Sequence, residues 1–190
     1  MSFDQMMIRF CSPTMCGIKP ANIFFIKQEA FSQHHFDEWK QNLQAHGITA
    51  CSGLLSKDFC FILVFDSEWE RKILDNPFVQ VFLSGKNYLC NGGVECVINE
   101  IINRMQNQIC FPHEIGIILG YPIEDVISFE ENQGKNCKYC GYWKSYSDVG
   151  RAKQSLCAYR KCCNLCMKWL AEGFSVSQII TEYKRFLKAA

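Results

Sequence analysis

Two pairs of cysteines near the C-terminal end have the spacing of a zinc site. Cys137 and Cys140 form one CxxC pair, and Cys163 and Cys166 form a second pair beyond residues 141–162, a gap of 22 residues. Four thiolates can surround a zinc ion tetrahedrally, and the CxxC spacing lets two sulfurs reach one ion. The sequence therefore predicts zinc as a candidate cofactor with these four ligands. The alternative is a set of buried, unreactive thiols, since the second pair shares a helical face with apolar residues.

A second candidate chemistry is nucleophilic catalysis by Cys11. A thiol nucleophile needs a base in contact with its sulfur, and His113 with Glu114 beside it would supply the base and an orienting carboxylate. The thiol and the imidazole are far apart in sequence, so their contact depends on the fold. His113 also suits the start of a helix after Pro112. The sequence leaves open whether the protein is an enzyme.

Residues 112–131 have the layout of a helix-turn-helix, with a glycine turn between two short helical segments. The segment that would enter the DNA groove contains four acidic residues and no lysine or arginine; the acids are Glu124, Asp125, Glu130 and Glu131. Phosphates repel such a surface. We therefore expect a packed helical hairpin and no sequence-specific DNA binding.

Charge is distributed unevenly along the 190 residues. Residues 1–134 contain 9 Lys/Arg and 16 Asp/Glu, a net charge of −7, whereas residues 135–190 contain 11 and 3, a net charge of +8. With 48% hydrophobic residues the chain can bury a sizeable core. We expect a single domain over residues 1–190, in which the basic part packs on the acidic part. The alternative is that the basic helices bind an anionic partner or nucleic acid.

The cysteine count indicates the compartment. Thirteen cysteines cannot all pair within one chain, and the first ten residues contain Asp4 and Arg9 rather than a continuous apolar segment. We therefore expect a cytoplasmic protein with reduced thiols, in an anaerobic or strongly reducing host. No apolar run approaches the length that spans a bilayer, so membrane insertion is not expected.

The helices and strands predicted from the sequence indicate an α+β fold. Helices dominate it, with a small sheet from the N-terminal half and a C-terminal helical arm. Apolar spacing and capping residues predict helices over residues 31–45, 68–74, 77–83, 94–106, 112–119, 122–131, 148–172 and 175–187. Strands are predicted over residues 6–10, 48–55 and 59–65, the last two as a hairpin. A turn is predicted at residues 11–14, residues 21–26 suit either a strand or a helix, and residues 136–146 suit a strand or an extended arm.

Three segments resemble a known family. These are residues 11–24 (CSPTMCGIKPANIF), 112–126 (PHEIGIILGYPIEDV) and 141–146 (GYWKSY). In this order they are similar to an uncharacterised family of anaerobic Firmicutes, domain-of-unknown-function number 3793. The resemblance implies one full-length domain, and it supplies no mechanism because the family has no established activity.

The conspicuous polar and aromatic residues of these segments predict a pocket or a partner-binding surface; besides Cys11, His113 and Glu114, they are Thr14, Lys19, Asn22, Trp143, Lys144 and Tyr146. We therefore expect a ligand- or partner-binding domain. The alternatives are a thiol-dependent enzyme or zinc sensor, and an anion- or nucleic-acid-binding module.

Overall fold

The computed structural model describes residues 1–107 and 111–189. The helices in these residues are α1 (Phe3–Met15), α2 (Gln33–Gln44), α3 (Ser67–Leu74), α4 (Pro77–Ser84), α5 (Gly93–Asn107), α6 (Ile115–Ile118), α7 (Ile123–Glu131), α8 (Val149–Ala171) and α9 (Val176–Ala189). The strands are β1 (Ala21–Lys27), β2 (Ile48–Leu54), β3 (Phe59–Asp66), β4 (Tyr139–Cys140) and β5 (Lys144–Ser145). Helices dominate and the larger sheet lies in the N-terminal half, which confirms the predicted α+β class.

Contacts divide the chain into two compact units. Residues Met1–Trp69 and Tyr159–Ala190 form the first unit, and Glu70–Ala158 form the second. These bounds do not coincide with the predicted parts 1–134 and 135–190, because each unit contains residues from both. The single domain with its basic part packed on its acidic part stays a prediction.

Helix α1 occupies residues 6–10, predicted as a strand, and residues 11–14, predicted as a turn; both predictions are wrong. The Gln5 backbone N–H donates to Ser2 Oγ at 3.2 Å, and the Ser2 N–H donates to Gln5 Oε1 at 3.0 Å. This capping box starts a helix upstream of the apolar run that suggested a strand. One face is then buried at helical spacing, by Phe3, Met7, Ile8, Cys11 and Met15. Pro13 lies in the last turn of α1, where it cannot donate a hydrogen bond to the Arg9 carbonyl, and the helix ends two residues later.

The sheet of the first unit is antiparallel, in the order β1, β3, β2. Strands β2 and β3 form the predicted hairpin, and residues 21–26, which suited either element, belong to β1. Helix α1 contacts β1 and β3, and α2 contacts β2. Buried residues of these elements share one core with buried residues of α8 and α9. The end of α1 is thereby held close to the inner face of α8.

The second unit contains the predicted helical hairpin as α6 and α7. Gly120 lies between them with a φ of 75°, a conformation that glycine adopts without strain. The segment predicted as extended at residues 136–146 forms a small antiparallel hairpin, in which Tyr139 pairs with Ser145. This β4–β5 hairpin lies next to α7.

Helices α8 and α9 follow the predicted ranges closely. Gly173, with a φ of 87°, ends α8. Ser175 and Gln178 exchange hydrogen bonds that cap α9, Ser175 N–H to Gln178 Oε1 at 2.8 Å and Gln178 N–H to Ser175 Oγ at 3.3 Å. Within the described residues, none of the helices has both the length and the hydropathy needed to cross a membrane.

Candidate functional site

A buried carboxylate organises the second unit. Asp125 is 2% exposed and lies in the first turn of α7. Its Oδ2 accepts a hydrogen bond from Trp143 Nε1 at 2.6 Å. Its Oδ1 accepts from the backbone N–H groups of Tyr146 and Ser147 and from the Ser147 hydroxyl, each at 2.8 Å. Four donors thus fasten the β4–β5 hairpin and the residues after it to α7.

These donors also set the ionisation of Asp125. Burial by itself would raise the pKa of the carboxyl, but the hydrogen bonds from Trp143, Tyr146 and Ser147 lower the pKa below its ordinary value. The carboxylate is therefore ionised at neutral pH, with its charge compensated by the four donors. From the sequence, Asp125 was predicted to be one of the exposed acids of a helix face. Its placement four residues before Phe129, on the apolar stripe of α7, was the signal of burial.

Beside this anchor lies a cavity of about 380 Å³, which we call the aromatic cavity. Its wall includes His113, Tyr121, Val126, Phe129, Trp143 and Lys144. Tyr121 stacks on Trp143 with ring centroids 5.1 Å apart, and the His113 ring meets the edge of Phe129 at 4.8 Å. The cavity is open to solvent and has the volume of a small-molecule site.

Gly116 lets α6 and α7 approach each other at the cavity wall. A Cβ at this position would lie 2.9 Å from Val126 Cγ2 and 3.1 Å from Tyr121 Cδ2. Both distances are shorter than ordinary carbon contacts. The glycine therefore permits the spacing that places Tyr121 against the cavity.

Two polar side chains of the cavity have unused hydrogen-bonding capacity. Lys144 Nζ donates to the Gly134 carbonyl at 2.7 Å and lies 5.7 Å from the Phe129 ring centroid. Within residues 1–107 and 111–189, no carboxylate forms an ion pair with Lys144, and no protein group hydrogen-bonds the His113 ring. The aromatic cavity thus combines a stacked aromatic wall with one cation and one imidazole.

Lys86 provides a contrast in the same unit. Its Nζ lies 3.3 Å from Glu114 Oε1 and 2.8 Å from Glu130 Oε2. Burial opposes the charge of Lys86, but the two carboxylates raise its pKa above the ordinary value. Glu114, predicted to orient His113, is therefore engaged in an ion pair with Lys86.

Four other predicted residues, Cys11, Thr14, Lys19 and Asn22, lie in the first unit, whereas His113 and Glu114 belong to the second. Cys11 is fully buried, and burial raises the pKa of its thiol although Lys19 opposes the shift. The Thr14 hydroxyl donates to Asn22 Oδ1 at 2.7 Å, which ties the end of α1 to β1. Lys19 Nζ lies 5.8 Å from the centroid of the Tyr159 ring. Of the binding residues predicted from sequence, Trp143 and Lys144 line the aromatic cavity, Thr14, Lys19 and Asn22 are buried in the first unit, and Tyr146 lies in the second unit without lining the cavity.

Tyr146 takes part through its backbone rather than its side chain. Its N–H bonds Asp125, while its hydroxyl is buried without a hydrogen-bond partner in the described part of the chain. Burial raises the pKa of this hydroxyl, so it remains protonated at neutral pH. Tyr146 therefore contributes to the position of the hairpin.

The cysteines that the structure brings together are not the four predicted zinc ligands. Cys16, Cys162 and Cys166, which we call the thiol cluster, are buried in the first unit with their sulfur atoms within 4.8 Å of one another. Cys16 Sγ and Cys166 Sγ are 3.6 Å apart. Cys163 is buried outside this group, and Cys137 and Cys140 lie in the second unit. The spacing of Cys162 and Cys166 indicated a shared helical face, but nothing in the sequence indicated Cys16.

The three thiols influence one another's ionisation. Hydrogen bonds from Cys16 and Cys162 lower the pKa of Cys166 well below its ordinary value, against the effect of burial. The same network and burial raise the pKa of Cys16. The three sulfur atoms of the cluster could hold a soft metal ion.

Comparison with known proteins gives one match. A family model described as "Protein of unknown function (DUF3793)" matches residues 7–180. No curated protein and no solved structure matches the chain.

Proposed function

The chain belongs to the family of proteins of unknown function DUF3793, and for this member we propose a binding function: the aromatic cavity of the second unit holds a planar aromatic ligand that carries a negative charge. The observation that carries the proposal is the pairing of a stacked aromatic wall with Lys144 in one cavity of about 380 Å³. The proposal corresponds to the ligand-binding function expected from sequence.

The stacked aromatic rings of the cavity wall favour binding of a planar, apolar ligand. Tyr121 and Trp143 are stacked nearly parallel, at 20°, and both are only partly buried. Aromatic ligands gain from offset stacking and from removal of their apolar surface from water. Asp125 holds the Trp143 indole through its N–H, so the wall is ordered before the ligand arrives, which reduces the entropic cost of binding.

The charged groups around the aromatic cavity favour a ligand that carries an anionic substituent. Lys144 has no carboxylate partner within the described residues, whereas Lys86 is neutralised by Glu114 and Glu130. The carboxylate of Asp125 also borders the cavity, but hydrogen bonds from Trp143, Tyr146 and Ser147 occupy its oxygens. An anion near Lys144 would form a charge-assisted hydrogen bond, worth about 1.5–3 kcal/mol.

The test is calorimetric titration of the full chain with 2-naphthoate and with 2-naphthalenemethanol, its uncharged counterpart. We expect 2-naphthoate to bind more tightly, and Lys144→Met to weaken 2-naphthoate about tenfold while leaving the alcohol unchanged. Lys138→Met removes an exposed lysine before the same hairpin and is the matched control, with no expected effect. Equal binding of the two compounds, no binding of either, or an unchanged affinity in Lys144→Met would each contradict the proposal.

The compartment is part of the proposal. We place the protein in the reducing cytoplasm of an anaerobic host, because the 12 cysteines of the described residues are all free. The alternatives remain predictions. Burial and the raised pKa of Cys11 disfavour a thiolate nucleophile at that residue, and binding of an anionic partner by the basic helices has no further support.

A further inference from the structure

We propose that the thiol cluster, Cys16, Cys162 and Cys166, is a structural zinc site in the core of the first unit, independent of the aromatic cavity. The three sulfur atoms lie within 4.8 Å of one another, and Cys16 Sγ and Cys166 Sγ are 3.6 Å apart. Zinc–sulfur bonds of about 2.3 Å at tetrahedral angles place neighbouring sulfurs about 3.8 Å apart. Small side-chain rotations would therefore bring all three thiolates to one ion.

Convergence from two elements distinguishes this cluster from cysteines that merely fill a core. Cys162 and Cys166 are one turn apart on α8, and Cys16, which lies beside them, is the residue that follows α1. A single apolar helix stripe would align the first two without bringing in the third.

Oxygen donors border the thiols. The Ser12 hydroxyl interacts with Cys166, and the Tyr183 hydroxyl interacts with Cys162. Either group would supply a neutral fourth donor to a tetrahedral ion. Because the cysteines are at most 1% exposed, the site is closed to substrate, which is the arrangement of structural rather than catalytic zinc.

Charge favours zinc over copper(I), the other soft ion that accepts three thiolates. Three thiolates with Zn²⁺ carry a net charge of −1, whereas three thiolates with Cu⁺ carry −2. Burying charge away from water is costly, and the cost rises with net charge. The core around the cluster is formed by apolar residues, so the less charged complex is favoured.

Such an ion would join two distant parts of the sequence. The first unit is assembled from residues Met1–Trp69 and Tyr159–Ala190, and the thiol cluster takes one ligand from the former and two from the latter. The sulfur–zinc bonds would fasten α1 to α8 at the point where the chain returns to the unit. Zinc binding would then contribute to the folding free energy of that unit.

The test uses the untagged full chain, purified anaerobically from cells grown with added zinc. Elemental analysis should give one zinc per chain that resists exchange with EDTA. Cobalt(II) added to the metal-free chain should give thiolate-to-cobalt charge-transfer bands and the visible bands of tetrahedral cobalt. These two measurements need no variant, so they test the site even if a cysteine variant fails to fold.

Substitutions of cysteine and histidine residues test which side chains bind the zinc ion. Cys166→Ala should lose the zinc, whereas Cys163→Ala, a buried neighbour on the same helix, should retain it. His35→Ala should also retain it; His34, His35 and Glu38 form an exposed group on α2 that could hold a metal loosely. Zinc well below one equivalent, copper in its place, zinc lost on His35→Ala, or a Cys16–Cys166 disulfide in anaerobically alkylated protein would each overturn the proposal.

Discussion

The thiol cluster and the aromatic cavity differ in their access to solvent and in how far apart their residues lie in the sequence. The thiol cluster is closed to solvent. It takes Cys16 from near the start of the chain and Cys162 and Cys166 from near its end, so that Cys16 and Cys166 are 150 positions apart. The aromatic cavity is open, and its wall comes from the short stretch between Phe111 and Lys144. The first arrangement suits an ion that stabilises a fold, and the second suits a ligand that enters and leaves. The two sites should therefore respond to different perturbations.

Zinc removal should have the largest effect and should act on the first unit. A ligand present at a thousandfold excess over its dissociation constant stabilises the folded state by about 4 kcal/mol. We expect stripping of the zinc to accelerate amide hydrogen exchange in α1 and in the second half of α8, measured by mass spectrometry. Peptides of α6 and α7 should be unaffected; equal acceleration in both units would remove the distinction between the sites.

Asp125→Ala should have the next largest effect, on the second unit. Four neutral donors lose their acceptor, and leaving buried donors unsatisfied costs about 1–3 kcal/mol. We expect faster exchange in the β4–β5 hairpin and loss of 2-naphthoate binding, with the zinc content unchanged. Glu124→Ala, at the exposed neighbouring position of α7, is the control and should alter stability by less than about 0.5 kcal/mol.

Acidification should lower the stability of the second unit by a smaller amount, and it should do so through the Asp125 carboxylate. The pKa of Asp125 is lower in the folded state, so its hydrogen bonds contribute stability that is complete above the unfolded pKa of about 4. That contribution is lost as the pH falls through the lower, folded pKa. Urea unfolding between pH 5 and pH 2 should show a steeper loss of stability in the wild type than in Asp125→Asn. Identical slopes would contradict an ionised anchor.

Cys140→Ser should have the smallest effect. Cys140 is exposed, belongs to one of the CxxC pairs that were candidate zinc ligands in the sequence, and lines the aromatic cavity in the structure. We expect the zinc content to be unchanged and the free energy of unfolding to shift by less than about 0.5 kcal/mol. Loss of zinc in this variant would restore the predicted four-cysteine site and refute the thiol cluster.

Local patterns predicted most elements correctly, and the exceptions have local causes. The β2–β3 hairpin, α2, α5 and α8 follow from apolar spacing and from glycine ends. The region of α1 was misread because the capping box of Ser2 and Gln5 lies upstream of the apolar run. Of the candidate site residues, Trp143, Lys144 and His113 line one cavity in the structure, whereas the sequence did not indicate the anchoring role of Asp125 or the participation of Cys16 and Cys162 in a cluster.

The sequence by itself determined most of the helices and strands, the α+β class and the family, because each depends on residues that are neighbours along the chain or on motifs in a fixed order. Only the tertiary structure decided which thiols meet, and which acid is buried as an anchor. The same holds for the lysines: Lys86 is neutralised by two carboxylates, whereas Lys144 faces a cavity. Ionisation and metal binding depend on groups a few ångströms away in space. For Cys16 and Cys166, 150 residues apart, that proximity exists only after the chain has folded.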